Sequence, residues 1–410
     1  MLKNSMLILT LAMSQPVFAA SLEVLHWWTA EGEVQSQLIL KKALAEKDIK
    51  WQSFAITGEG GDSALRVLQM RSLSGTPPDA AQIKGPDIGE WAKVGMLENI
   101  DTLINTSNWP NIMPKVVRNT VTFDGNYMAV PINVHRVNWL WLNKKIFKEL
   151  KLAIPQTWDE FFTVADKIKA AGYLPLALGG TAWQDALIFE SMALSILGPE
   201  KYIKAFVDFD ESVLNSPEMV VVFEKFKGLS AYTDKSIVDK DWYYASQLIA
   251  TDQAAMQFMG DWAKGMWQAK GKTAMVDYLC VDVPESKGLY SYNIDSFVMF
   301  DKYAILPKNN VQILFSEILL SKKFQLEFNL SKGSIPIRND IDMSNFDQCS
   351  QKSYADFKSS TLVPSFTQNL ATTSQVQHIM IQIISNYFND PDAQAEETVR
   401  LLSLAIHAMH

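Results

Sequence analysis

Residues 22–56 read LEVLHWWTAEGEVQSQLILKKALAEKDIKWQSFAI, and the change of hydrophobic period within them decides the fold class. The apolar-rich stretch 22–28 is short and ends in a polar turn, as a buried strand does; from 34 to about 47 apolar residues recur at helical spacing; 49–56 is strand-like again. Strand, helix and strand in this order imply a parallel pair with a crossover. The pattern continues outward. Gly58-Glu59-Gly60-Gly61 leads into a helix over 63–73, and 80–83 reads as a third strand. Asp124-Gly125, between 121–123 and 127–130, predicts a hairpin turn.

A second alternation begins at residue 137. Stretch 137–142 is strand-like, the Thr157 to Glu160 spacing is a capping box, and 173–178 reads as a strand. Helices are expected over 184–196 and over 217–229, the latter with Ser216 as N-cap and Pro217 in its first turn. Helical patterns over 311–330 and 374–388 follow without a Gly/Ser linker, so the C-terminal part is expected to pack back on two α/β lobes.

The 410 residues, 48% hydrophobic and 20% charged, suffice for two cores and exclude a disordered chain. A net charge of -8 argues against nucleic acid, whose binders need clustered Lys and Arg to displace counterions. At the start, Lys3, the apolar residues 6–13 and Val17-Phe18-Ala19 have the layout of a secretory signal. Cleavage after Ala19 is expected, so 1–19 is assigned as signal peptide and the remainder as a soluble periplasmic protein. The apolar stretch is far shorter than the roughly 20 residues that span a bilayer. In an oxidising compartment Cys280 and Cys349, the two cysteines of the chain, read as one disulfide, with two buried thiols as the alternative. No zinc-ligand spacing exists, and nothing suggests a metal or organic cofactor.

Standard catalytic signatures fail. Gly271-Lys272-Thr273 has Met266 where a phosphate loop needs glycine, and there is neither G-x-S-x-G nor H-E-x-x-H. What remains is a set of aromatic and polar residues at strand ends, where open α/β sheets bind ligands. Trp27 and Trp28 end the first strand and Glu33 follows the next turn; Gln82 lies at the end of the third strand, and Lys84 and Asp87 follow it. Tyr292-Asn293-Ile294-Asp295 precedes an apolar strand, and Met259-Gly260-Asp261-Trp262 opens a helix. A pyranose offers apolar C–H faces to an indole and a rim of hydroxyls to carboxylates, amides and ammonium groups. Taken singly, each cluster is equally well core, turn or solvated charge.

Taken together, seven stretches resemble the extracellular sugar-binding proteins of ABC transporters, within their bacterial glucose-binding subgroup. They are Leu25-His26-Trp27-Trp28 with Glu33, residues 80–88 (AAQIKGPDI), residues 134–139 (VHRVNW), Trp183-Gln184-Asp185-Ala186, residues 255–265 (AMQFMGDWAKG), residues 292–297 (YNIDSF) and Val363-Pro364-Ser365. The resemblance implies a two-lobed α/β fold of the type II periplasmic-binding-protein kind. An N-terminal lobe would comprise 20–130 and 296–336 and a C-terminal lobe 131–295 and 337–410, with the ligand in the cleft between them. It implies sugar contacts from Trp27, Trp28, Glu33, Lys84, Asn293, Asp295 and Lys332, with Trp262 and His135 as cleft neighbours, and stacking of the sugar on Trp28 or Trp262. It also implies a Cys280–Cys349 disulfide. Where the subgroup commonly carries a histidine after the Pro-Ser, this chain has Gln368, which keeps hydrogen bonding but loses the imidazole face and its titration.

The resulting expectation is a monomeric, non-enzymatic receptor that hands a monosaccharide, glucose foremost, to membrane permease subunits. Two rivals stand beside it: a sugar receptor serving a chemoreceptor, for a monosaccharide or a disaccharide, and a secreted glycoside hydrolase with Glu33 and Asp295 as its carboxylate pair.

Overall fold

The computed structural model describes residues 20–56, 61–101, 103, 108–301 and 310–409. The expected signal segment 1–19 and the glycine run 58–60 lie outside the described residues. No described helix is long and apolar enough to cross a membrane.

Two sheets sit in two lobes, and a third joins them. The first has the order Ile49–Ala55, Ala20–His26, Ala80–Gln82, Ser296–Met299 and Val130–Pro131; the first three strands run parallel and the last two pair antiparallel. The opening strand–helix–strand reading is therefore correct, with the crossover helix at Glu31–Ala45. The second sheet has the order Tyr278–Asp282, Trp139–Asn143, Ala254–Phe258 and Leu174–Leu176. Between them, His135–Arg136, Leu289–Asn293 and Thr361–Pro364 form a three-stranded connecting sheet.

The chain thus passes between the first sheet and the connecting sheet at residues 131–135 and 293–296, and Ile335 bridges to Val134 beside the first of these crossings. Each lobe has its own apolar core. Trp139, Trp141, Trp158 and Phe189 centre one, and Leu22, Trp28, Phe297 and Phe328 belong to the other. The cap signals hold. Thr157 and Ser216 accept from the backbone N–H of Glu160 and Met219, and Asp124-Gly125 turns a hairpin with both residues at positive φ.

One expected element is two. The helical pattern 311–330 breaks at Ser321, whose Oγ accepts from Phe324 N to cap a new helix, Lys322–Lys332. Apolar spacing survives a break that keeps the same face inward, so periodicity alone does not detect it. Conversely, the expected helix 184–196 extends through Ala182–Phe206, with its axis interrupted at Gly198 (φ 71°) before Pro199. Cys280 and Cys349 are disulfide-bonded, with Cα atoms 5.9 Å apart, tying the strand Tyr278–Asp282 to the helix Gln348–Ser359.

Candidate ligand-binding site

The parallel strands of the first sheet end on one side, and the chain leaving them supplies the first wall of a cleft. Trp27 and Trp28 follow Ala20–His26, and Lys84 follows Ala80–Gln82. Glu33 lies in the first turn of the helix Glu31–Ala45, where its Oε2 accepts from the N–H groups of Thr29 and Ala30 (3.1 and 3.2 Å). Its Oε1 accepts from Lys332 Nζ at 2.6 Å. Lys332 ends its helix beside Gly333, whose positive φ of 89° forms the C-cap.

The connecting sheet supplies the floor. His135 and Asn293 are register partners on adjacent antiparallel strands, and Asp295 follows at the crossing into the first sheet. Asp295 is 3% exposed, yet its carboxyl is held below the usual carboxylate range: burial pushes it up, and the His135 contact with Lys84 and Lys332 nearby more than reverses that. Trp262, at the start of the helix Trp262–Ala269, meets the His135 ring edge-on at 5.3 Å between centroids.

All ten residues expected at the ligand cleft, Trp27, Trp28, Glu33, Lys84, His135, Trp262, Asn293, Asp295, Lys332 and Gln368, line one cavity of about 690 Å³. Gln82 and Asp87 do not. Gln82 is inside the first sheet, paired with Phe297, and Asp87 accepts from Asn369 Nδ2 (2.9 Å) and Ser374 N (3.0 Å) outside the cleft. A second cavity, of about 570 Å³ around Asn143, Lys148, Asp252 and Tyr278, holds none of the expected residues.

The indoles differ in what they present. Trp28 is 1% exposed and packs its ring against Phe297 and Phe328 at 5.5 and 5.4 Å. Trp27 is partly exposed, with the Lys84 ammonium 5.2 Å from its ring. The opposite wall brings residues absent from the expected set: Trp183, Trp242, Tyr243, Asp239 and Asp241. Of these, Trp183 belongs to a stretch that carries the family resemblance. The others come from a loop and helix start whose composition marks only a turn; their place over the cleft follows from Gly179 and Gly180, against whose backbone Lys240 O, Asp241 O and Ile237 O pack too closely for any Cβ. Tyr243 then donates to Glu31 across the mouth at 2.7 Å.

Two buried polar atoms of the cleft residues, Trp28 Nε1 and Asn293 Oδ1, have no hydrogen-bond partner among the described residues. Among the described residues no group of three or more His, Cys, Asp or Glu is placed to hold a metal ion.

Comparison with known proteins agrees with this architecture. The bacterial extracellular solute-binding protein family model matches residues 31–283. A probable sugar-binding periplasmic protein of Brucella suis is 36% identical over 392 residues, covering 95% of this chain and 92% of the relative. A protein of the same description from Rhizobium meliloti is 35% identical over 404 residues, covering 98% and 97%. Among solved structures, the bacterial solute receptor AcbH, described as having an exclusive preference for β-D-galactopyranose, superposes with a TM-score of 0.80 at 18% identity over 95% of this chain and 98% of its own. Maltose-bound MalE3 of T. maritima gives 0.79 at 15% identity, over 96% and 100%. The fold is the two-lobed solute-receptor fold, and the chain belongs to the bacterial extracellular solute-binding protein family.

Proposed function

We propose that this protein is the periplasmic sugar-receiving component of an ABC importer and that it encloses a monosaccharide, glucose foremost, between lobes 20–130 with 296–336 and 131–295 with 337–410. The observation that carries the reading is convergence: residues spread from Trp27 to Gln368 meet in one cavity that combines indole faces with carboxylate, ammonium and amide groups. Trp28 Nε1 is a donor and Asn293 Oδ1 an acceptor, both unpartnered among the described residues; a sugar hydroxyl supplies either role. The names of the relatives, sugar-binding and periplasmic, support the ligand class and the compartment. On this reading residues 1–19 direct export, the closed lobes meet permease subunits, and the receptor acts as a monomer without a cofactor.

The same geometry weighs against a hydrolase. A retaining or inverting glycosidase needs one carboxyl kept protonated as general acid. Asp295 is held low, and Glu33 is ion-paired to Lys332 at 2.6 Å. Service to a chemoreceptor uses the same cleft and differs only in the membrane partner.

Calorimetric titration of ligand-stripped protein with a panel of mono- and disaccharides tests the proposal. Tight binding of one hexose without turnover is expected; release of reducing sugar from an aryl glycoside, or no binding to any sugar, refutes it. Asp295→Ala removes a charged acceptor worth about 1.5–3 kcal/mol, so affinity should fall roughly tenfold to over a hundredfold.

A further inference from the structure

His135 was expected as a neighbour of the ligand contacts, and both of its ring nitrogens are engaged within the protein. Nδ1 bonds the Asp261 carboxylate, and Nε2 lies 3.3 Å from Asp295 Oδ2. All three side chains are buried, at 1%, 2% and 3% exposure. Asp261 is fixed in turn, because its second oxygen accepts from Arg136 N at 3.0 Å. Asp295 is held at both oxygens: Asn293 Nδ2 reaches Oδ1 at 3.3 Å and Asn133 Nδ2 reaches Oδ2 at 3.2 Å.

Asn133 gives the arrangement two states. Its Oδ1 accepts from Asp295 N at 3.1 Å, which sets the amide so that Nδ2 also lies 3.0 Å from His135 Nε2. A protonated imidazole donates through Nε2 to Asp295; a neutral one, with its proton on Nδ1 toward Asp261, can only accept there, from Asn133. We propose that Asp261 and His135 form a positioning pair behind Asp295: the imidazolium shared by two buried carboxylates orients Asp295 toward the ligand, and loss of its proton weakens sugar capture.

The surroundings support the charged state. Burial alone pushes the imidazole down, but Asp261 and Asp295 outweigh it and hold its pKa above the ordinary value. The Trp262 ring packs against the imidazole in a T-shaped contact. Lys84 and Lys332 act on Asp295 from the cleft. Tyr290 lies within the field of Asp261, and the Arg136 guanidinium pairs with Asp282 and Asp356 rather than with this group. His135 and Asp261 are thus positioning residues, whereas Asp295 makes the ligand contact.

The inference about affinity rests on the sugar-receptor reading, and the inference about the proton does not, so two measurements separate them. NMR of isotope-labelled imidazoles, with His135 assigned through His135→Gln, should show this ring titrating above the ordinary 6.5 of histidine. In Asp261→Asn the midpoint should fall. Calorimetry from neutral to alkaline pH should show wild-type affinity declining through the same midpoint, the Asp261→Asn decline moving to lower pH with it, and His135→Gln weaker by about tenfold, the loss of one charged hydrogen bond, with no decline over that range. A wild-type His135 midpoint at or below 6.5, a midpoint unmoved in Asp261→Asn, or an affinity profile that ignores the midpoint overturns the proposal. Should His135→Gln fail to fold, Asp261→Asn alone decides. Should no sugar bind while His135 titrates as expected, the sugar reading falls and the shared proton stands.

Discussion

Replacing Asp185 by Asn should stabilise the protein at neutral pH and not in acid. Asp185 is 1% exposed in the helix Ala182–Phe206. Its Oδ2 accepts from Ser385 Oγ (2.6 Å) and Asn389 Nδ2 (2.9 Å), while Oδ1 has no partner. Burial pushes its pKa from 3.8 up to about 6, against the pull of those two donors and of Lys235. A raised acid pKa means that the folded state binds the proton more tightly than the unfolded state does. Stability from this site is therefore full below pH 3.8, is lost as pH rises toward 6, and stays lost above. Two units at about 1.4 kcal/mol each put the loss on the order of 3 kcal/mol. Asparagine abolishes the charge and keeps an acceptor for Ser385 and Asn389, but leaves a buried N–H₂ at the Oδ1 position, which costs about 1–2 kcal/mol. The variant should thus gain about 1–2 kcal/mol above pH 7 and lose a similar amount near pH 4. Urea unfolding followed by tryptophan fluorescence at both pH values measures this difference. An equal change at the two would show that Asp185 is not buried as a carboxylate, and the reasoning would fail.

Three further outcomes are expected. His26 Nδ1 accepts from Trp28 N (3.3 Å) and burial lowers its pKa to about 4; because a depressed base is neutral when folded, stability should be full above pH 6.5 and decline toward 4, and His26→Gln should flatten that decline in unfolding curves. The disulfide closes a loop of 69 residues, so the Cys280→Ser, Cys349→Ser double variant should lose about 4 kcal/mol on the chain-entropy account, read as a lower urea midpoint that reductant no longer changes. At Gly265 an added Cβ would lie 2.6 Å from Lys332 O; Gly265→Ala should cost about 1–3 kcal/mol in overpacking and displace Lys332 from Glu33, lowering both melting temperature and sugar affinity, with wild-type values for both refuting the contact.

Local signals in the chain foretell elements whose causes are local. The capping oxygens of Thr157 and Ser216, the Asp124-Gly125 turn and the period change across 22–56 reappear because each depends on neighbours a few residues away. The break at Ser321 escaped because the apolar face continues across it. Of the residues placed at strand ends, Trp27, Trp28 and Lys84 reached the cleft, since they leave the same edge of the parallel strands, whereas Gln82 and Asp87 from the same stretch did not.

Amino-acid order by itself thus determined two α/β lobes, the strand-end residues offered to a ligand, and a chain without the signatures of phosphate-loop or nucleophile-elbow enzymes. Tertiary structure alone decided that Trp28 is buried against Phe297 and Phe328, and that Asp241, Trp242 and Tyr243 close over the mouth from a loop seated on Gly179 and Gly180. It also decided that His135 is held between Asp261 and Asp295, side chains more than a hundred residues away in sequence. The reason is the range of the interactions: caps and periodicity act over one or two turns, whereas burial and charge pairing depend on which distant segments the crossings at 131–135 and 293–296 bring together.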